Sequence, residues 1–158
     1  MPQESVVLKD IVPRTVAYLR CKGPWRQLPG MLAKLEEHLA RAGLKAIEPA
    51  SGVYYNTPDE VDAQELVWEV FCPVESETAE AAEDRFEFGV KKLSGIRVAS
   101  IIHRGSYRRS RPTYERLEEW IRQQGLKVCG PAEEVYLSSL SSPQEEQQME
   151  IRLSVCPL

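Results

Sequence analysis

A carboxylate and a phenol two residues apart are the side chains of this sequence best suited to chemistry. Glu134 and Tyr136 lie within residues 130–137, a turn that runs into a predicted strand. Residues two apart on a strand point to the same face, so the acid and the ring should lie side by side. An aromatic face attracts cations, and a poorly hydrated carboxylate selects positive charge or accepts a proton. The pair therefore predicts a cation-binding site or general base chemistry.

The same pattern has an interpretation that involves no ligand. Glu133 stands directly before Glu134, and neighbouring acids are common on protein surfaces. Tyrosines of a sheet can be half buried for packing alone. Burial of Glu134 is therefore what separates a site from an ordinary surface. If the chain is an enzyme, we expect Glu134 and Tyr136 to be its catalytic residues.

The stretch around Glu134 has an earlier copy in the chain. The segment from Lys9 to Tyr54 matches the segment 82 residues further on without a gap, and Tyr54 falls on Tyr136. Gly52 stands where the second copy has Glu134. The main difference between the two copies is therefore the acidic residue. This predicts a binding site in the second copy that has no equivalent in the first.

Beyond this span the match continues at another spacing. An offset of 84 brings Cys72 and its following proline onto Cys156 and its proline, which predicts two extra residues in a loop of the second copy. We predict a single domain over residues 1–158, with a first repeat at 1–74, an acidic linker at 75–84 and a second repeat at 85–158.

Each copy has the pattern strand, strand, helix, strand, strand. The first helix is predicted from leucines at spacings of three and four and ends at Gly43. The second has Tyr114 and Leu117 on its apolar side and ends at Gly125. The pattern predicts an α+β fold of two tandem ββαββ-type repeats with pseudo-two-fold symmetry. We expect a mainly antiparallel sheet with both long helices on one face and a cleft on the other.

Strand alternation predicts the residues that line the cleft. Ala99 and its aliphatic neighbours suit the face beneath a helix, so Glu134 and Tyr136 are assigned to the opposite face. The predicted groove has Glu134 as its single acid and Tyr54, Tyr136 and Tyr18 as its aromatic wall.

Composition excludes several classes of function. The net charge of −4 and pI near 5.4 argue against a protein whose main partner is a nucleic-acid backbone. No run of about 18 apolar residues is present and the first residues are polar, which predicts a cytoplasmic protein without a membrane span. Four well-separated cysteines predict buried reduced thiols, and with two histidines we expect neither a metal site nor a cofactor.

Several of these positions together resemble a known family. They are Val98-Ala99, His103, Gly105, Tyr107, Leu117, Trp120, Gly125, Gly130-Pro131, Glu134-x-Tyr136 and Gly52-Val53-Tyr54-Tyr55. The pattern resembles the GyrI-like small-molecule-binding domain, the effector-binding domain of multidrug-responsive transcription regulators, which also occurs standing alone. The resemblance covers nearly the whole chain.

The resemblance implies a duplicated fold with a concave cleft between the halves, in which one acid and several aromatic rings contact lipophilic, often cationic compounds. Carried over to this sequence, Glu134 is the anchor and Tyr54 and Tyr136 are wall residues. Further ligand-binding candidates are Tyr18, Trp25, Trp68 and Tyr107. The leading expectation is a standalone domain that binds hydrophobic small molecules, cationic or electrophilic in kind, in an aromatic cleft with one acidic anchor.

The resemblance also implies two alternatives. Some relatives are similar to hydrolases of reactive cyclopropane-bearing compounds, which implies catalysis by Glu134 with a tyrosine. Others bind DNA gyrase, which implies a protein-interaction module with gyrase or a separate regulator as partner. Strand patterning begins at Val6, so we expect no helix-turn-helix ahead of the domain and no direct contact with nucleic acid.

Overall fold

The computed structural model of the chain describes residues 5–75 and 87–158. In these residues the chain forms ten strands and two helices longer than one turn. In chain order they are β1 (Val7–Ile11), β2 (Arg14–Lys22), α1 (Leu28–Ala42), β3 (Lys45–Ala46), β4 (Ser51–Tyr54), β5 (Val67–Glu75), β6 (Phe88–Leu93), β7 (Ile96–Arg104), α2 (Arg111–Gln123), β8 (Leu126–Val128), β9 (Ala132–Tyr136) and β10 (Gln148–Pro157). The predicted acidic linker lies outside the described residues except for its first position.

The chain divides into two compact units, of which the central unit is Pro13–Ser94. Its strands have the order β4-β5-β2-β6, and β3 pairs with the end of β5. Helix α1 buries Leu35 and Leu39 against this sheet, because apolar residues recur along one side of the helix. The helix ends at Gly43, whose φ of 66° is the left-handed conformation that glycine adopts without steric cost.

The terminal unit consists of Met1–Val12 and Gly95–Leu158. Its strands have the order β1-β7-β10-β9, and β8 pairs with the end of β10. Helix α2 buries Thr113, Leu117 and Ile121. The strand pairings of both units are antiparallel. The predicted α+β class with a mainly antiparallel sheet is therefore confirmed.

The boundaries of the two units differ from those of the predicted repeats. Strand β1 directly precedes β2 in the sequence, yet it pairs with β7 and belongs to the terminal unit. Strand β6 directly precedes β7, yet it pairs with β2 and belongs to the central unit. Each unit is therefore completed by the strand that opens the other predicted repeat. The repeats at 1–74 and 85–158 stay a prediction about duplication.

Strand register contradicts the predicted offset of 84. Tyr54 lies opposite Trp68 in the central unit, and Tyr136 lies opposite Met149 in the terminal unit. The two tyrosines are 82 residues apart, whereas Trp68 and Met149 are 81 apart. The loop of the second copy is therefore one residue shorter and not two longer. The shared Cys-Pro dipeptide does not mark equivalent positions.

The central sheet buries side chains on both of its faces. The face beneath α1 holds the larger cluster, which includes Ala17, Leu19, Cys21, Leu66, Trp68, Val70, Cys72 and Val74. The opposite face holds a smaller cluster of Val16, Tyr18, Val53 and Phe71. Adjacent residues of β2 alternate between the two clusters, as the two-residue period of a strand requires.

Two of the four cysteines form a disulfide, which contradicts the prediction of reduced thiols. Cys129 and Cys156 are joined, with their Cα atoms 6.0 Å apart. The pairing of β8 with β10 brings them together, and their separation of 27 residues gives no sequence signal for this. Cys21 and Cys72 are free and buried, and burial raises their thiol pKa values to about 12 and about 11.

The helices in the part of the chain that the structure describes are too short or too polar to cross a membrane.

Candidate functional site

Three segments of the terminal unit bring the candidate side chains together. Strand β9 carries Glu134 and Tyr136, as predicted. After β7 the chain turns at Gly105, whose φ of 104° favours glycine. It then forms a 3-10 helix of one turn, Tyr107–Arg109. Helix α2 follows at once, so Tyr114 lies in its first turn. The site therefore combines a strand, a turn and a helix start.

Two phenol groups bind the Glu134 carboxylate. The Tyr114 hydroxyl donates a hydrogen bond to Glu134 Oε2, and the Tyr136 hydroxyl donates one to Oε1 at 3.0 Å. Each carboxylate oxygen thus has a donor, while further lone pairs remain on both oxygens. Glu134 is partly buried and Tyr136 is almost wholly buried. The geometry is that of a held carboxylate with capacity for one more donor or cation.

The surroundings raise the pKa of Glu134 above its ordinary value. Burial is the largest cause, because it disfavours the charged form of a carboxyl group. The hydrogen bonds from Tyr114 and Tyr136 and the nearby His103 act in the opposite direction without cancelling it. An acid with a raised pKa, bound by phenols, is suited to binding a cation or accepting a proton.

The face of the sheet on which Glu134 lies differs from the prediction. Ile101 pairs with Ile151, and Ile151 pairs with Glu134, so all three side chains share one face of the terminal sheet. Tyr114 of α2 reaches Glu134 on this face. The prediction that the acid lies opposite the helix is therefore wrong. Alternation identifies residues that share a face within one strand, whereas pairing between strands decides which face the helix covers.

Tyr107, a predicted candidate, lies beside Tyr136. The two rings meet edge to face with centroids 5.7 Å apart. The Tyr107 hydroxyl lies 3.0 Å from Ser138 Oγ and donates to the Gln148 carbonyl at 3.2 Å. Ser138 Oγ in turn accepts the Gln148 backbone N–H at 2.8 Å. Tyr107 therefore supports the Tyr136 ring and is itself fixed by hydrogen bonds.

His103 lies on the helix side of β7, as alternation predicts, and is buried. Its Nδ1 is 2.7 Å from the Thr113 hydroxyl, and its Nε2 is 2.9 Å from the Ser106 carbonyl oxygen. Both ring nitrogens are thus occupied by the protein. Because both nitrogens have protein partners, the His103 ring is not available as a base.

The central unit gathers three other predicted residues into an aromatic cluster. The Trp25 and Tyr54 rings meet edge to face at 5.1 Å, and Tyr54 stacks on Trp68 at 6.1 Å. The Trp68 indole donates to the Gly23 carbonyl at 3.0 Å. The Trp25 indole N–H is buried and has no acceptor among the described residues. Gly52 gives this cluster no acid, and its part in ligand binding stays a prediction.

The structure does not bring Tyr18 to this central cluster. Tyr18 lies opposite Phe71 on the other face of the sheet and is wholly buried. The Lys91 ammonium group lies over its ring, 4.3 Å from the centroid. Tyr18 therefore packs in the small second core and faces away from Tyr54.

Tyr114 is the site residue that sequence reasoning missed. Its position on the apolar side of the predicted second helix was recognised, but its contact with Glu134 was not. A phenol on the apolar side of a helix is the signal that was available, because a buried hydroxyl needs a partner. Ser138 and Thr113 gave no signal beyond being polar.

Among the described residues no cluster of His, Cys, Asp or Glu side chains has the composition of a metal site.

A partly buried acid among aromatic rings is typical of the sites at which proteins bind small molecules. The chain belongs to the family of the GyrI-like small molecule binding domain, whose model matches residues 4–155. This confirms the predicted family. No curated protein sequence matches the chain at a significant level.

Solved structures show the same fold at low sequence identity. The C-terminal domain of EcmrR has a TM-score of 0.81 and 19% identity, covering 98% of this chain and 99% of that domain. EcmrR in a complex with DNA has a TM-score of 0.81 and 18% identity, with 99% of this chain covered. The chain spans 59% of the length of EcmrR in that complex. The chain therefore shares the fold of the EcmrR C-terminal domain.

Two further solved structures share the fold; one is a hydrolase and the other holds a bound cation. A hydrolase from Listeria innocua has a TM-score of 0.70 at 12% identity, with 99% of this chain and 94% of that chain covered. SAV2435, solved with bound tetraphenylphosphonium, has a TM-score of 0.62 at 15% identity, with 96% and 94% covered. These values establish a shared fold.

Proposed function

We propose that the chain binds hydrophobic cations and that Glu134 is the anionic anchor of the site. The observation that carries the proposal is the Glu134 carboxylate, held by the Tyr114 and Tyr136 hydroxyls and partly removed from water. A carboxylate that has already lost hydration gains more from a cation than an exposed one does. The tyrosine rings add apolar contact and attract positive charge to their faces.

A fold neighbour supports the choice of ligand class. SAV2435 was solved with tetraphenylphosphonium, a bulky cation whose charge is covered by aromatic rings. Such a ligand offers no hydrogen bond, so its selection depends on charge and apolar area. The Glu134 site of this chain supplies both kinds of interaction.

The experiment is to titrate tetraphenylphosphonium and the neutral triphenylphosphine oxide into wild-type protein and Glu134→Gln by calorimetry. The attraction between unit charges about 6 Å apart is worth about 3 kcal/mol at an effective dielectric constant of about 20, so the cation should bind up to about 100-fold more weakly to the variant. The neutral compound should bind both proteins alike. Equal cation affinity in the two proteins would refute the anchor.

Glu133→Gln is the matched control. Glu133 is adjacent on β9, points to the other face and pairs with Arg152 at 3.2 Å. The Glu133→Gln substitution removes the same charge from the chain without changing Glu134 or the tyrosines that contact it. Wild-type cation affinity in this variant shows that the effect of Glu134→Gln is local and not a change of net charge.

Hydrolysis of electrophilic small molecules is the second candidate, favoured by the same acid. A carboxylate with a raised pKa can take a proton from water that attacks a strained ring, and the Tyr136 hydroxyl beside it would stabilise the charge that develops on the carboxyl group. The Listeria innocua neighbour is a hydrolase. Incubation with a cyclopropane-bearing electrophile separates the candidates, because a pure binder releases the compound unchanged.

A further inference from the structure

One buried imidazole connects the two segments that precede the site tyrosines. The His103 Nε2 atom lies 2.9 Å from the Ser106 carbonyl oxygen, and its Nδ1 atom lies 2.7 Å from the Thr113 hydroxyl. Tyr107 directly follows Ser106, and Tyr114 directly follows Thr113. The His103 ring therefore contacts Ser106 and Thr113. Each of these residues directly precedes one of the tyrosines near Glu134.

Hydrogen-bond chemistry fixes the form of this connection. A carbonyl oxygen only accepts, so Nε2 of His103 carries the proton and donates to Ser106. In the neutral ring Nδ1 is then an acceptor, and the Thr113 hydroxyl donates to it. His103 and Thr113 are both buried, so water does not replace the bond between them. Losing that bond would leave a buried polar group unpaired.

The other copy of the repeat lacks the whole arrangement. At an offset of 82, the four positions His103, Thr113, Tyr114 and Glu134 correspond to Cys21, Met31, Leu32 and Gly52. The copy without the acid thus has no imidazole, no hydroxyl and no phenol at these places. If His103 and Thr113 served packing alone, nothing would connect their presence with that of the acid.

We propose that His103 is a positioning residue of the Glu134 site, which acts through Thr113 on Tyr114 and through Ser106 on Tyr107. The inference rests on the proposed function for the purpose of the site, while the geometry it describes exists without a ligand. Thr113 is the link that a substitution can cut, because its hydroxyl joins the first turn of α2 to β7.

The pKa of Glu134 is the quantity to measure. Burial raises it, and among the described residues Tyr114 on α2, Tyr136 on β9 and His103 on β7 lower it. The Tyr114 hydrogen bond lowers the pKa of Glu134, because it favours the charged form. A misplaced Tyr114 therefore raises that pKa further.

The experiment compares Thr113→Val with Thr113→Ser, since valine removes only the hydroxyl from a side chain of equal shape and serine keeps it. The Glu134 carboxyl carbon is titrated by NMR without ligand. In Thr113→Val we expect its pKa to rise by at least about half a unit, and in Thr113→Ser to match wild type. Tyr114→Phe, which deletes the donor, gives the largest attainable shift.

Cation affinity is the second readout. Thr113→Val should bind tetraphenylphosphonium at least about fivefold more weakly than Thr113→Ser. If the wild type does not bind the cation, the proposed function fails, and the ligand-free titration still decides the role of His103. A Glu134 pKa in Thr113→Val equal to that of wild type overturns the proposal.

A measurement on the wild type covers the case in which Thr113→Val does not fold. Imidazole ¹⁵N spectra of His103 should show the proton on Nε2, because the Ser106 carbonyl oxygen can only accept. A proton on Nδ1 alone contradicts the proposed connection.

Discussion

At the scale of single residues, burial of the ionised Glu134 carboxyl lowers the free energy of unfolding. Burial raises its pKa, so the folded chain holds the carboxyl proton more tightly than the unfolded chain does. For an acid shifted in this direction, stability is lost as the pH rises from the ordinary glutamate value through the raised folded value. Binding sites commonly carry such groups at the expense of stability.

Glu134→Gln should therefore stabilise the protein without ligand, and only where the carboxyl is ionised. At about pH 4 both proteins carry a neutral side chain of similar shape and should unfold alike. At about pH 8 the variant should be more stable by about 0.5–2 kcal/mol, the usual gain from such substitutions. Urea unfolding at both pH values measures the difference. A variant less stable than wild type at about pH 8 would show that the two phenols offset the cost of burial.

Sequence predicted part of this site. The two-residue period of a strand placed Glu134 beside Tyr136, and the structure agrees. It did not reveal Tyr114, because a helix residue is positioned by the rotation of the helix on the sheet, which alternation does not determine. Tyr107 was predicted from the family resemblance alone, and the structure places it against Tyr136.

At the scale of elements, helix α2 positions the second phenol donor of Glu134, so its packing determines the site. Leu117 is fully buried one turn after Thr113, whereas Glu118 is exposed. Leu117→Ala should destabilise the protein by about 2–5 kcal/mol, the range for deleting a buried leucine side chain. Glu118→Ala, the control one residue further on, should change stability by less than about 0.5 kcal/mol. Thermal or urea unfolding of the two variants tests the assignment of these helix faces.

The elements themselves were predictable, but their pairing was not. Apolar periodicity and the glycines at the helix ends indicated both helices. The pairing of β1 with β7 and of β6 with β2 has no local signal, because the pattern of a strand is the same whichever neighbour it joins. For the same reason the disulfide between Cys129 and Cys156 became evident only when β8 was found beside β10.

At the scale of the whole molecule, an ion pair to a buried glutamate ties β1 to the terminal unit, and another ties β6 to the central unit; β1 and β6 are called the exchanged strands because each pairs outside its own predicted repeat. Lys9 of β1 lies 2.5 Å from Glu150 in the terminal unit, and Lys91 of β6 lies 2.5 Å from Glu69 in the central unit. Both glutamates are buried, with 7% and 5% exposure. The two lysines are 82 residues apart, but the glutamates are 81 apart, so the ungapped alignment did not match them.

The two pairs differ in what remains when the lysine is removed. Glu150 also accepts bonds from Arg152 at 2.8 Å and from Ser100 at 2.7 Å, which together with Lys9 outweigh the effect of burial and lower its pKa to about 2. For Glu69, Lys91 is the ion-pair partner found among the described residues. The loss of Lys91 therefore removes the ion-pair partner that Glu69 has among the described residues, whereas Arg152 still pairs with Glu150 when Lys9 is lost.

Lys91→Met should consequently destabilise the protein by about 3–5 kcal/mol, the cost of an uncompensated buried charge, and Lys9→Met by only about 1 kcal/mol. Methionine keeps the apolar stem of the lysine, so the difference reports the charge. Adding Glu69→Gln to Lys91→Met should restore most of the lost stability, because the buried charge is then absent. Urea unfolding of the four proteins decides it. Equal losses in the two single variants would mean that burial of the glutamates, and not their partners, determines how firmly the exchanged strands are held.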